Sequence, residues 1–531
     1  MVKEDPPYRV VAFDRAQLAQ EISSHDYADE RGIEVKAHVR YLERYLGELG
    51  ARAILVETHY IDRDFLNDYA EHYVRCFPAY SRTCRRLHFF SSELTDDEVG
   101  TALVEPGGAE AAGMQDSYLG FLVVRPLPLR VIGRACLAHY PEPDKCFPTT
   151  REHTATLFGL PLKVQSVPFQ EQDKEVAACA TSALWTAFHV TGPVHGHPIP
   201  SPVAITRSAV DLFREPARSI PNEGLNGWQQ AAAIRAVGME PCLIETASLQ
   251  KDDDAEDKGR LVVDMARLKA VTYAYLSGGF PCVVSALVSP PGRTPDWHAV
   301  TALGFRLRGE AAPIDDNGPL MKGAGMDRLY VHDDQAGPFS RWDTTGDCVT
   351  TSWVFGDNPK HQFPVVPRRF LVPLYHKVRI SFEQVYAHVA ELNGLIERSV
   401  QGLPDNLRGG ALRPVWDIRL TTVNAFKQRL REQAHGTGPE ALRAHLTTNL
   451  PRFMWQVSAL DAQQRHLFDV LLDATDLGQG SHYSHCIVHN ADYAIIAQWI
   501  KKRGNCDGLL RQKPMIAHIL EALEAAAPPQ S

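Results

Sequence analysis

The hydrophobic and polar positions change texture twice along the chain, near residue 165 and near residue 375. In the first stretch, EVKAHVRYLERYLGELG (34–50) sets Val35, Val39, Leu42, Tyr45 and Leu46 on one face at helical spacing, with Gly50 to end the helix. A strand over Ala53–Glu57 and a helix over Asp62–Cys76 follow. Residues 118–136 have the apolar, β-branched character of strands broken by a proline-bearing turn. The range 1–165 reads as a mixed α/β domain with no evident role.

The segment VPFQEQDKEVAACATSALWTAFHV starts polar and becomes a patterned helix, with Val176, Ala180, Ala183, Leu184, Ala187 and Phe188 on one apolar face. Helices over Asn222–Gly238 and Met265–Ser277 come next. Strands over Pro281–Val288, His298–Leu307 and Arg328–His332 follow, the last two separated by the polar loop Gly309–Asp327. Helices first and strands later predict an α+β unit over 166–374 with a helical half and a sheet half. Residues 375–531 then mix helices (near Ser381–Ile396 and 515–525) with strands at 415–420, 452–458 and 467–473, a second flanking domain.

Length and charge narrow the classes. A chain of 531 residues is too long for one ordinary core, and 44% hydrophobic with 22% charged residues is a globular composition. A net charge of -9 gives no global basic field to draw the chain to nucleic acid or anionic lipid. No run approaches the roughly 18–20 apolar residues of a membrane span. The opening MVKEDPPYRVVAF has acids and prolines where a signal peptide needs basic and then apolar residues, so a cytoplasmic protein is expected.

The ten cysteines form no CxxC pair and are expected to be reduced. No phosphate-binding glycine motif is present, and no cofactor is implied. The run RTCRR (82–86) reads as a solvated helix face and DDDAEDKGR (252–260) as a charged surface loop. HYSHCIVH (482–489) gathers His482, His485, Cys486 and His489, but on a strand or loop these alternate faces rather than converge, so no metal site is assigned.

One constellation carries chemistry. Cys179 stands about one turn into a predicted helix, where dipole and unpaired N–H groups favour an anion, among the small residues Ala177, Ala178, Ala180, Thr181 and Ser182. Upstream, Gln172, with Gln170 as a second candidate, offers an amide for an oxyanion hole. His298 begins an apolar strand, and the next strand ends in Asp333 and Asp334. If the two strands pair around the intervening loop, His298 and Asp333 share one rim of the sheet, with His332 on the other face.

The segments QDKEVAACATSALW, DWHAVTALGF and LYVHDDQAGPF resemble the Cys, His and Asp boxes of papain-like cysteine peptidases, most of all the bacterial C39-like branch. GLNGWQQAAAIRAVGMEP is similar to the helix between the first two boxes there. The resemblance covers about 166–372. It implies Cys179 as nucleophile, His298 as general base, Asp333 (or Asp334) as third member and Gln172 in the oxyanion hole. The chain departs from the family pattern in three respects. Gln172 lies seven residues before Cys179, no glycine flanks the cysteine, and His298 and Asp333 are 35 apart across the inserted loop.

The implied function is a peptidase or isopeptidase working through an acyl-enzyme on a peptide or protein substrate. Deamidase or transglutaminase-type acyl transfer on the same triad is the nearest enzymatic alternative, although such a core keeps its Cys and His closer in sequence. The arginine- and glycine-rich lead-in of arylamine acetyltransferases is missing. A non-catalytic papain-like scaffold, its flanking domains binding a protein partner, is the alternative from another class.

Overall fold

In the computed structural model the described residues are 6–23, 37–128, 130–173, 175–211, 224–249, 261–290, 292, 294–351, 362–400, 413–432, 438–477, 482–489, 497–498 and 513–525. The chain divides into two units. One comprises Met1–Leu261, Pro281–Gly304 and Arg328–Pro373, and the other Val262–Phe280, Phe305–Asp327 and Leu374–Ser531. Both mix helices with antiparallel sheets.

The first unit opens with an antiparallel sheet in the order β1 (Tyr8–Ala12), β2 (Ala53–Tyr60), β3 (Cys84–Phe90), β4 (Tyr118–Val124) and β5 (Ile132–Leu137). Helices α1 (Arg15–Ser23) and α2 (Ala37–Glu48) lie between β1 and β2, and α3 (Arg63–Glu71), α4 (Asp96–Val104) and α5 (Ala109–Ser117) come later. On α2, Val39, Leu42, Tyr45 and Leu46 are buried, as the helical spacing predicts. RTCRR does not form a helix face. It runs into β3, where Arg85 and Arg86 are buried and Arg86 Nε donates to Glu57 Oε2 at 2.6 Å. The reason for the difference is a carboxylate on the paired strand, which lets a guanidinium leave water.

A hairpin, β6 (Arg151–Leu157) with β7 (Leu160–Ser166), precedes α6 (Cys179–His195), α7 (Pro202–Asp211) and α8 (Gly227–Ala236). Then come β8 (Met239–Glu245), β9 (Cys282–Val288), β10 (Asp296–Leu307), β11 (Met326–Asp333), β12 (Gly337–Asp343), β13 (Val349–Thr351) and β14 (Phe363–Tyr375). Strands β9 to β14 follow one another in the sheet, and β9 also pairs with β14, so these six form a closed ring. The sequence boundary at 165 falls inside this unit. One apolar core runs through it, joining Leu42, Phe89 and Leu122 to Val167, Phe169, Val190, Leu303 and Tyr330. Texture changes along the chain there, but packing does not.

The second unit holds α9 (Met265–Leu276), α10 (Phe382–Val400), α11 (Val423–Glu432), α12 (Pro439–Thr447) and α13 (Pro514–Ala525). Its sheet orders the short strand Leu320–Met321, β15 (Val415–Thr422), β16 (Phe453–Leu460), β17 (His466–Asp473) and β18 (Tyr483–Val488). Trp416 and Trp455 are fully buried, and their indole N–H groups donate to Asn393 Oδ1 and the Ile380 carbonyl at 3.0 and 2.9 Å. Residues 262–280 and 305–327, read from the sequence as part of the central domain, belong to this unit because Leu320 pairs with Val415 and Tyr273 donates to Asp417.

Candidate functional site

Cys179 is the first residue of α6 rather than a residue one turn inside it. The preceding Val176 and Ala177 are buried but not helical, so their apolar pattern had placed the helix start too early. Ala178 occupies the N-cap and has no side chain to cap with, so no side-chain oxygen takes up the first N–H groups of α6. A half-buried thiol thus sits at the positive end of a 17-residue helix whose first donors face an anion-binding position.

The lead-in to that helix is held by Asp173. Its Oδ1 accepts the N–H groups of Glu175, Val176 and Ala177 at 3.0, 3.0 and 2.9 Å, and its Oδ2 accepts the Tyr73 hydroxyl at 2.8 Å. Sequence reasoning passed over this residue. Its signal was an Asp just ahead of a helix, the kind of carboxylate that bonds the backbone two or more residues on. Gln170 and Gln172 are both buried in the same lead-in, and the oxyanion role expected of Gln172 rests on that position.

His298 lies near the start of β10, opposite Ala286 of β9. Thr301, three residues on, donates its hydroxyl to the Ala183 carbonyl of α6 at 2.6 Å, and Ala299 packs in one cluster with Ala180, Ala183 and Leu184, against which Cys179 lies. The strand carrying the imidazole is thereby fastened to the helix carrying the thiol. His298 Nε2 meets Asp333 Oδ1, on the last residue of β11, at 2.8 Å, and Asp334 Oδ1 stands 3.6 Å away. Cys179 supplies a further hydrogen-bond partner to the ring.

The electrostatics follow from burial and charge. Burial alone would lower the His298 pKa, but the carboxylates of Asp333 and Asp334, with the hydrogen bonds from Asp333 and Cys179, raise it well above the ordinary histidine value. Asp334 is pushed up to about 6, first by burial and also by the Asp333 charge, against the lowering effect of His298. Asp333 is therefore the nearer partner of the base and Asp334 a second carboxylate behind it. His332 faces elsewhere: Nε2 donates to the Val167 carbonyl at 2.9 Å, Nδ1 accepts the Phe339 N–H at 3.0 Å, and burial lowers its pKa to about 3.

An outer layer holds the backbone at Asp334. His38 of α2 donates from Nε2 to the Asp334 carbonyl at 2.6 Å and turns Nδ1 toward Glu171, 3.7 Å away. Glu171 is fully buried, paired with Arg130 at 3.0 Å and accepting the Ile132 N–H at 3.3 Å. Residues before 165 thus reach the site, which the sequence did not foretell.

Among the described residues two groups place donors close enough to share a metal ion, His298–Asp333–Asp334 and His466–Asp469–His489. The segment 482–489 contains strand β18, and its His482, His485 and Cys486 do not converge with His489 on one ion. The loop 252–260 and Cys506 lie outside the described residues, and no disulfide joins the nine described cysteines. No described helix is long and apolar enough to cross a membrane. No family model, curated protein or solved structure matches the chain.

Proposed function

We propose that the protein is a papain-like cysteine hydrolase that cleaves a peptide or isopeptide bond. The observation that carries this reading is the placement of His298 between the Cys179 thiol and the buried Asp333 carboxylate. A nucleophile within reach of a base, itself oriented by a third group, is the arrangement acyl transfer requires. The helical elements α6–α8 beside an antiparallel ring support the papain-like layout.

In this reading His298 takes the Cys179 proton, the thiolate sulfur attacks the carbonyl carbon, and the electron pair of the C=O bond moves to the oxygen. That oxyanion is received by the uncapped N–H groups of α6 and the Gln172 amide. His298 gives its proton to the departing amine as the C–N bond breaks, leaving a thioester. It then takes a proton from water, whose oxygen displaces the thiolate and releases the acid. Asp333 keeps the ring oriented and offsets its charge. The substrate is a peptide or protein, and the chain works in the cytoplasm.

An iodoacetamide-type probe tests the reading. Rapid labelling confined to Cys179, slowed ~100-fold or more in His298→Ala, is expected. Labelling of Cys179 no faster than that of the exposed Cys146 and Cys348 sinks it.

A further inference from the structure

The second unit carries a histidine–carboxylate cluster that the proposed hydrolase chemistry leaves unused. Asp469 lies in the middle of β17, opposite Ser458 of β16 and Ile487 of β18, and is 2% exposed. Each of its carboxylate oxygens faces a different imidazole. His466 Nδ1 stands 2.9 Å from Oδ1, and His489 Nε2 stands 2.9 Å from Oδ2. The two rings meet edge to face with centroids 5.5 Å apart. One donor atom from each of the three residues lies within 4.8 Å of the other two.

The strands explain the convergence. His489 follows β18, its N–H donates to the Leu467 carbonyl of β17, and it falls on the same face as Ile487 and hence as Asp469. His466 opens β17, three residues before Asp469, and the register shift opposite Ala459 and Leu460 breaks the alternation of faces between them. A buried carboxylate between two imidazoles is costly unless their positive charge, or that of another cation, offsets it. The imidazole side chains are 28% and 29% exposed against 3% for the carboxylate, so the cluster opens to solvent on its histidine side.

We propose that His466, Asp469 and His489 form a binding site for a divalent first-row transition metal, with Zn²⁺ the ion it suits best. Two imidazole nitrogens with one carboxylate oxygen select such ions over Ca²⁺ or Mg²⁺, which take oxygen donors. A tetrahedral zinc with bonds of about 2.0–2.2 Å holds its ligands ~3.4 Å apart, within reach of the present spacing by small side-chain movements. Three protein donors leave the fourth position to water or an exogenous ligand. On metal uptake each ring nitrogen now facing Asp469 presents its lone pair. Its proton moves to the other ring nitrogen or, from an imidazolium, leaves to solvent, so binding weakens as the pH falls.

The test uses the full chain as Cys179→Ala/His298→Ala, stripped with a chelator, so that neither the thiol nor the imidazole of the other site can bind the ion. Titration with Zn²⁺ against a chromophoric chelator is expected to show one ion per chain, with affinity reduced more than ~100-fold in His466→Ala and in His489→Ala. Loss of a partner lying outside the coordination sphere costs only about 10–100-fold. Far-UV circular dichroism checks that both variants fold. Co²⁺ in the parent Cys179→Ala/His298→Ala chain gives a second readout, the visible absorption of a low-coordinate nitrogen and oxygen site. If the parent chain takes up neither ion, or if uptake survives both histidine variants, the cluster is a hydrogen-bonded support for the sheet and the proposal is wrong.

Discussion

His298 lies near the start of one strand and Asp333 ends its neighbour, and their side chains meet at 2.8 Å although 35 residues separate them. The imidazole is 7% exposed and the carboxylate fully buried, so neither has water to fall back on. A pair of that kind is worth most when one tries to break it.

Asp333→Ala leaves a buried imidazole without its nearer carboxylate. Unfolding by urea is expected to show a loss of about 3–5 kcal/mol at neutral pH. Cys179 alkylation should slow by ~100-fold or more if His298 loses its orientation as well as its charge. Asp334→Ala, 0.8 Å further from the ring, should slow alkylation less.

The two carboxylates also set a pH dependence of stability. Asp334 holds its proton up to about pH 6 in the folded chain against an ordinary value of 3.8, so the folded state binds more protons in that window. Stability therefore falls as pH rises from about 4 to 6, by on the order of 2–3 kcal/mol, and this step is then complete. His298 acts at higher pH. Its folded value is raised, so its contribution is fully present below pH 6.5 and is lost as pH rises through that raised value. Urea midpoints measured across pH should show the lower step vanish in Asp334→Asn while the upper one persists. Retention of the lower step in that variant assigns it to another group.

Asp173→Ala removes one acceptor from three backbone N–H groups and from the Tyr73 hydroxyl. A destabilisation of about 2–4 kcal/mol is expected from donors left buried, with slower alkylation of Cys179 because the start of α6 loses its anchor. Alkylation at the parent rate would show that α6 positions the thiol unaided.

Gly120 of β4 has φ +115°, and a Cβ there would stand 2.0 Å from the Cys136 carbonyl oxygen of β5. Both the backbone angle and the approach exclude a side chain. Gly120→Ala is expected to cost about 3 kcal/mol or more in thermal or urea unfolding.

The rim that carries His298 and Asp333 was legible in the sequence because adjacent strands of alternating direction bring the start of one beside the end of the other. The start of α6 was less so. Val176 and Ala177 keep the apolar pattern of the helix, yet the Asp173 carboxylate claims their N–H groups and holds them outside it. Arg85 and Arg86 misled because a charged run looks solvated until its partners, Glu21 on a helix and Glu57 on the paired strand, are known. The same blindness to partners hid the cluster at Asp469, since only His489 falls within the HYSHCIVH segment. The boundary at 165 failed for a related reason: composition changes there while the core continues through Val167 and Phe169.

The ring of β9 to β14 closes on itself through the pairing of β9 with β14. Once β10 and β11 are registered in that ring, the length of the chain between them does not set the distance from His298 to Asp333. Doubling such an excursion costs only about 0.6 kcal/mol in closure entropy. Residues 308–325 are held by the second unit, where Leu320 pairs with Val415, so their number answers to that sheet and not to the spacing of His298 and Asp333. For a protein built this way, the number of residues separating base from carboxylate is a poor guide to kinship, and the identity of the two strand ends is a better one.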